Sequence, residues 1–196
     1  MAIKSEDDLT KNLTQSFKGR KVLVTGNTGF KGSWLAYWLL SLGAKVQGYA
    51  LEPVTNPNLF SVLGLEKEID QFYGDIRDYE SLEKLIFAFK PEVIFHLAAQ
   101  PLVSVSFQNP VETFTVNTIG TLNIVEMSRK SDFLQAVVLI TSDKCYENDG
   151  NRASFTETDR LGGKDIYSAS KACAEIIANA YNQSFFIDKG NTTQAS

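Results

Sequence analysis

The sequence predicts an α/β fold of the doubly wound, Rossmann type: a parallel sheet covered by helices on both faces. Three observations carry this expectation. Short runs rich in Val, Ile and Leu recur at 21–25, 45–51, 69–73, 92–97 and 136–142, alternating with helical patterns at 32–42, 79–89, 111–130 and 167–186. The strand runs are apolar at successive positions, as a strand buried on both faces must be. The first strand-to-helix junction is the glycine-rich stretch Thr25-Gly26-Asn27-Thr28-Gly29-Phe30-Lys31-Gly32.

Along the chain each element has a local reason. Residues 1–17 are polar and charged and read as a flexible leader or a loosely attached helix ahead of a domain at 18–196. Val22, Leu23 and Val24 form the first strand. Gly26, Gly29 and Gly32 follow at three-residue intervals, so that the turn can be tight, a ligand can approach the backbone and the helix can pack on the sheet. The amides that open this helix would then face a pyrophosphate, which makes a dinucleotide the expected guest. Gly43 stops the first helix and Pro91 breaks the chain before the fourth strand.

Composition narrows the partners. With 196 residues the chain suffices for one sizeable core, and its net charge of −4 gives no electrostatic footprint for nucleic acid or an anionic membrane. No run approaches a membrane span, and the first residues lack a signal-peptide core, so a soluble, cytoplasmic protein is expected. Cys145 and Cys173 make no CxxC motif, which indicates neither a disulfide framework nor a metal site. The single histidine, His96, ends an apolar strand and reads as a hydrogen-bonded core residue.

Tyr167-Ser168-Ala169-Ser170-Lys171 places a phenol and an ammonium one helical turn apart on one face. A lysine there favours the phenolate and so lowers the tyrosine pKa toward the working pH. Between 46 and 66 there is no Lys or Arg to meet a 2′-phosphate, which favours NAD over NADP, although Lys31 in the glycine turn can reach a phosphate. Asp75, after the third strand, can accept from an adenine amino group with Ile76 packing on the ring. Ala98 and Ala99, after the fourth, are small enough for a cofactor to lie against the backbone.

The glycine turn and the YxxxK pair together resemble the extended short-chain dehydrogenase/reductase family. Residues 25–34 (TGNTGFKGSW), 49–60, 74–79 (GDIRDY), 96–103 (HLAAQPLV), 141–148 (TSDKCYEN) and 161–172 (LGGKDIYSASKA) resemble in particular its CDP-glucose 4,6-dehydratase branch. The resemblance implies a lyase that binds NAD through Gly26, Thr28, Gly29, Phe30, Lys31, Gly32, Asp75, Ile76, Ala98, Ala99, Gln100, Tyr167 and Lys171, and contacts its nucleotide-sugar substrate, CDP-glucose, through Gln100, Ser106 and Ser142. It implies that Tyr167 takes the sugar hydroxyl proton, Ser142 hydrogen-bonds that hydroxyl, Lys171 holds the phenolate and the nicotinamide ribose, and Asn117 anchors a proton-relay water. Asp143 becomes the acid at the C6 oxygen, and Lys144 either the C5 base or an electrostatic aid. Family members continue with another strand and a smaller substrate domain and pair as homodimers. An incomplete Rossmann domain with an uncovered sheet edge is therefore expected here. An epimerase or reductase of the same family would keep the turn and the YxxxK pair but need no acid at Asp143, and an inactive, truncated dinucleotide-binding module is the alternative of a different class.

Overall fold

The computed structural model describes residues 6–150 and 154–187. Its centre is one sheet of five parallel strands in the order β3-β2-β1-β4-β5. These are β1 (Lys21–Thr25), β2 (Lys45–Ala50), β3 (Asp70–Tyr73), β4 (Val93–His96) and β5 (Ala136–Leu139). The order reverses between β1 and β4, which opens a crevice at their carboxyl ends, where ligands bind in such sheets.

The helices are α1 (Glu6–Phe17), α2 (Phe30–Ser41), α3 (Leu59–Val62), α4 (Tyr79–Phe89), α5 (Val103–Gln108), α6 (Pro110–Lys130) and α7 (Ile166–Tyr181), the last continued by a π-helical turn at Asn182–Phe186. Caps account for several boundaries. Asp78 and Asp165 accept from the amides of Ser81 and Ser168, so α4 and α7 begin where a carboxylate satisfies the first free N–H groups. β5 ends three residues earlier than its apolar run suggests, because Ser142 turns the chain into a 3₁₀ segment, Asp143–Cys145, by accepting from the Lys144 amide. Of the expected domain at 18–196, residues 151–153 and 188–196 lie outside the described residues.

β1 shows why its sequence is apolar throughout: Val22, Leu23 and Val24 are all fully buried. Val22 and Val24 join the layer containing Ala36 and Leu39 of α2, Val46, Phe60 and Leu65. Leu23 faces the opposite layer, with Leu82, Ile86, Ile124 and Met127 of α4 and α6. Phe17 anchors the end of α1 by packing on Phe95, ring centroids 6.3 Å apart. Among the described residues no helix is long and apolar enough to cross a membrane, and no group of three metal-ligating side chains converges.

Candidate active site

The glycine turn joins β1 to α2 at the reversal point, and two of its glycines are dictated by packing. Gly26 has φ +72°, and a Cβ on it would meet the Ala98 amide nitrogen at 2.7 Å. A Cβ on Gly32 would strike the Gly26 carbonyl and lie 2.7 Å from Asn27 Cα. Gly29 is different. Its backbone is ordinary, φ −77° and ψ 167°, and a Cβ there would meet only the Gly26 carbonyl oxygen, at 3.3 Å. It caps α2 with no side chain, and the first helical turn carries no acidic residue, so the amides from Phe30 onward open onto a bare cradle suited to an anion. Thr28 ties the turn to the end of β2 by donating its hydroxyl to the Leu51 carbonyl at 2.9 Å. Phe30 and Lys31 are exposed at its mouth.

At the end of β3, Asp75 is gripped by Arg77. The Arg77 amide and Nε reach Oδ1, each at 2.9 Å, while Nη2 reaches Oδ2 at 2.5 Å. Hydrogen bonding to the guanidinium holds this carboxyl below the usual aspartate range. The Tyr49 hydroxyl donates to the Asp75 carbonyl, and its burial pushes the phenol up to about 12. Ile76 departs from expectation: its side chain is 4% exposed and packs where a Cβ on Gly120 of α6 would be, so it belongs to the core beneath the crevice and not to a ring-stacking surface.

The end of β4 is organised around Thr25. Its hydroxyl accepts from the Ala98 amide at 3.2 Å and lies 2.8 Å from His96 Nδ1. His96 is buried, and burial, reinforced by the Lys171 charge, lowers its pKa to about 3, which keeps the ring neutral. The segment beyond it departs from the expected substrate loop. Gln100 spends its side chain on its own surroundings, donating to the Leu102 carbonyl and the Thr113 hydroxyl and accepting from the Leu102 amide. Ser106 lies on α5, buried, with its hydroxyl given to the Val103 carbonyl. Both side chains are engaged by neighbouring groups of the chain. Asn117 is also fully engaged: it accepts from the Gln100 amide and donates to the Gln100 carbonyl and the Ser170 hydroxyl. It thereby pins α6, this segment and α7 together.

Tyr167 and Lys171 share the inward face of α7, 7% and 6% exposed, beside the 3₁₀ segment that carries Ser142, Asp143 and Lys144. The Ser142 hydroxyl donates to Asp143 Oδ1 at 3.1 Å, and Asp143 and Lys144 are exposed. The expected electrostatics need correction. Burial raises the Tyr167 pKa, and the Ser142 hydroxyl opposes the rise. The Lys171 ammonium donates to the Ile140 carbonyl at 3.2 Å, and burial lowers its pKa to about 8 against the pull of Glu175. In a low-dielectric site the charged forms of both groups are penalised, and this outweighs a benefit that spacing alone suggests. A cleft of about 690 Å³ opens between the end of β5 and α7, lined by Ser142, Asp143, Glu157, Glu175 and Asn182 among others; Tyr167 and Lys171 are not among its lining residues.

Three contributors carried no sequence signal as strong as the glycines. Arg77 is marked only by standing two residues after Asp75, Thr25 by preceding Gly26, and Ser170 by lying inside the YSASK segment. Each acts through tertiary contacts that local spacing does not report.

Gly26, Asp75, Ala98 and Ser142 each follow a parallel strand, so cradle, acid and tyrosine face one edge of the sheet. A model of the GDP-mannose 4,6 dehydratase family matches residues 23–193. The CDP-glucose 4,6-dehydratase of Salmonella typhimurium is 48% identical over 170 residues, covering 87% of this chain and 47% of its own. UDP-glucose 4-epimerase of Thermus thermophilus, solved in complex with NAD, matches with TM-score 0.71 and 32% identity over 84% of this chain and 51% of that one. dTDP-glucose 4,6-dehydratase of Bacillus anthracis, also in complex with NAD, matches with TM-score 0.69 and 28% identity over 85% and 52%. The chain spans about half the length of these relatives. With its parallel sheet, its glycine cradle and a match that runs from β1 past α7, the chain belongs to the GDP-mannose 4,6 dehydratase family.

Proposed function

We propose that this chain is the cofactor-holding and catalytic part of a soluble, cytoplasmic NAD-dependent sugar-nucleotide 4,6-dehydratase. Its substrate is CDP-glucose, its product is CDP-4-keto-6-deoxyglucose, and the whole protein works as a homodimer. The observation that carries this reading is the meeting of an acid-bearing segment, Ser142-Asp143-Lys144, with the Tyr167–Lys171 face of α7 at the sheet edge where the bare glycine cradle opens. The 48% identity to a CDP-glucose 4,6-dehydratase supports the choice of substrate.

The cradle fits a dinucleotide. Amides from Phe30 onward would hold the pyrophosphate, Asp75, fixed by Arg77 after β3, would stand on the adenosine side, and Ala98 and Ala99 would leave the backbone open to the cofactor. The absence of Lys and Arg between 46 and 66 leaves a 2′-phosphate without a counter-ion, which favours NAD. A bound NAD would supply the hydride acceptor for oxidation at C4 and, in reduced form, the hydride for C6, so that no outside oxidant or reductant would be consumed. The chain's own residues move the protons. Tyr167, as phenolate, takes the C4 hydroxyl proton while Ser142 hydrogen-bonds that oxygen, and the Lys171 charge supports the phenolate. Asp143 protonates the departing C6 hydroxyl, which leaves as water once the C5 proton has gone. Lys144 is the candidate base for that proton, a role that requires its neutral form.

The test is to incubate the protein with CDP-glucose and NAD and follow the product by mass spectrometry. Loss of one water from the sugar nucleotide supports the reading. An isomer of unchanged mass would show an epimerase, and no product together with no NAD binding would show neither. Asp143→Asn is expected to keep hydride transfer, read as reduced-nicotinamide absorbance in a single turnover, while elimination slows by about 10²–10⁴. Unslowed elimination would remove Asp143 from the role of acid.

A further inference from the structure

The exit of β5 is met by α7 at successive residues. The Lys171 ammonium donates to the Ile140 carbonyl at 3.2 Å, the Thr141 hydroxyl donates to Glu175 Oε1 at 2.5 Å, and Tyr167 has the Ser142 hydroxyl as a hydrogen-bond partner. Tyr167, Lys171 and Glu175 stand four residues apart, so one stripe of the helix makes all these contacts. The tyrosine and the lysine have parts in the proposed reaction, whereas Glu175 has none. A half-buried carboxylate is a costly way to hold a threonine, since a neutral amide would accept the same hydrogen bond. We infer that Glu175 is a positioning residue for Lys171: docked on Thr141, it fixes the exit of β5 against α7 and keeps a negative charge one helical turn from the ammonium.

The other groups around Lys171 leave this part to Glu175. On the 3₁₀ segment Cys145 is buried, and burial pushes its thiol up to about 11, so it is uncharged near neutral pH. At the end of β4 burial holds His96 neutral. Burial likewise raises Tyr167, which is a phenol at rest. Asp143 and Glu157 are exposed and act on Tyr167 and Tyr146. Helix α6 meets this part of α7 through neutral groups, Asn117 on Ser170. Against the burial that disfavours the ammonium, Glu175 is the group that favours it. A carboxylate free to swing would spend time far from the ammonium, and the Thr141 hydroxyl removes that freedom. The consequence for catalysis rests on the proposed reaction, because only a charged Lys171 supports a Tyr167 phenolate. The link between Glu175 and Lys171 needs no substrate.

The experiment separates the two. With isotope-labelled lysines in the purified chain, NMR follows each side-chain ammonium through a pH titration, and the resonance missing from Lys171→Arg belongs to Lys171. Its midpoint should lie near about 8 and fall by roughly 1 pH unit in Glu175→Gln, which keeps an acceptor for Thr141 but removes the charge. Thr141→Val, which frees the carboxylate, should lower the midpoint by less. Thr141→Ser, which keeps the hydroxyl, should restore it. Circular dichroism matching the unsubstituted chain shows that each variant is folded. With CDP-glucose and NAD, the alkaline limb of single-turnover hydride transfer should move down in the same order. A Lys171 midpoint that stays in place in Glu175→Gln overturns the inference whether or not the sugar nucleotide reacts. So does a Thr141→Val titration equal to that of the unsubstituted chain, or a limb that stays fixed while the titration moves. A midpoint that moves as expected in a chain that forms no product supports the link and counts against the dehydratase reading alone.

Discussion

Lys171 and His96 show how burial decides the chemistry of single residues here. The Lys171 ammonium, pushed down to about 8 by burial, is the charge that supports a Tyr167 phenolate in the proposed oxidation. As pH rises through about 8 that charge is lost, so single-turnover hydride transfer should show a falling alkaline limb near this value. Lys171→Arg, which stays charged, should move the limb upward, and a limb unaffected by it would assign the titration to another group. His96 works on stability instead. The unfolded chain binds a proton at its histidine below about pH 6.5, whereas the folded ring stays neutral down to about 3. Stability therefore falls as pH drops through 6.5. By linkage the folded state should be about 1.4 kcal/mol less stable at about pH 5.5 than at about pH 7.5. Urea unfolding at the two values measures this difference, and His96→Gln should remove it. The sequence made His96 readable as a core residue, since one histidine at the end of an apolar strand has few alternatives. It could not report the Tyr167 environment, because spacing along a helix says nothing about the dielectric into which the helix is pressed.

At the level of elements, the glycine turn was legible because its chemistry is local: strand, glycines at three-residue intervals, helix. The geometry then separates the glycines by task. Alanine at Gly32 would gain up to about 1 kcal/mol of helix propensity. It would also drive its methyl into the backbone of Gly26 and Asn27, which cannot yield as a side chain would. Overpacking of this kind costs about 1–3 kcal/mol or more, so the clash wins, and Gly32→Ala should lower the melting temperature and weaken cofactor binding together. Gly29→Ala meets only one oxygen at 3.3 Å, so stability should change by less than about 0.5 kcal/mol, while the methyl narrows the anion cradle and cofactor affinity falls. Thermal melts paired with binding titrations of the two variants check the contrast. Equal loss of stability in both would mean that Gly29 is also a packing glycine. The short helices α3 and α5 escaped the periodicity reading because four and six residues are too few to show a period. Ser106 lies on one of them, buried, with its hydroxyl donated to the Val103 carbonyl, a local environment that spacing could not report.

For the molecule as a whole, strand order and helix layers put every proposed contact at one edge of one sheet, which is the sense in which the sequence already contained the site. Alternation of strand and helix, with apolar strands, suffices to specify parallel layers. The network that holds them in register, Asn117 to Gln100 and Ser170, or Thr25 to His96 and Ala98, joins residues 17 to 73 positions apart and leaves no periodic trace. The central claim is that this sheet edge holds NAD in a site with no provision for a 2′-phosphate. Calorimetric titration of the purified chain with NAD and, separately, with NADP tests it most directly. NAD should bind at least about tenfold more tightly, a difference of about 1.4 kcal/mol. Equal affinity, a preference for NADP, or binding of neither would contradict the account.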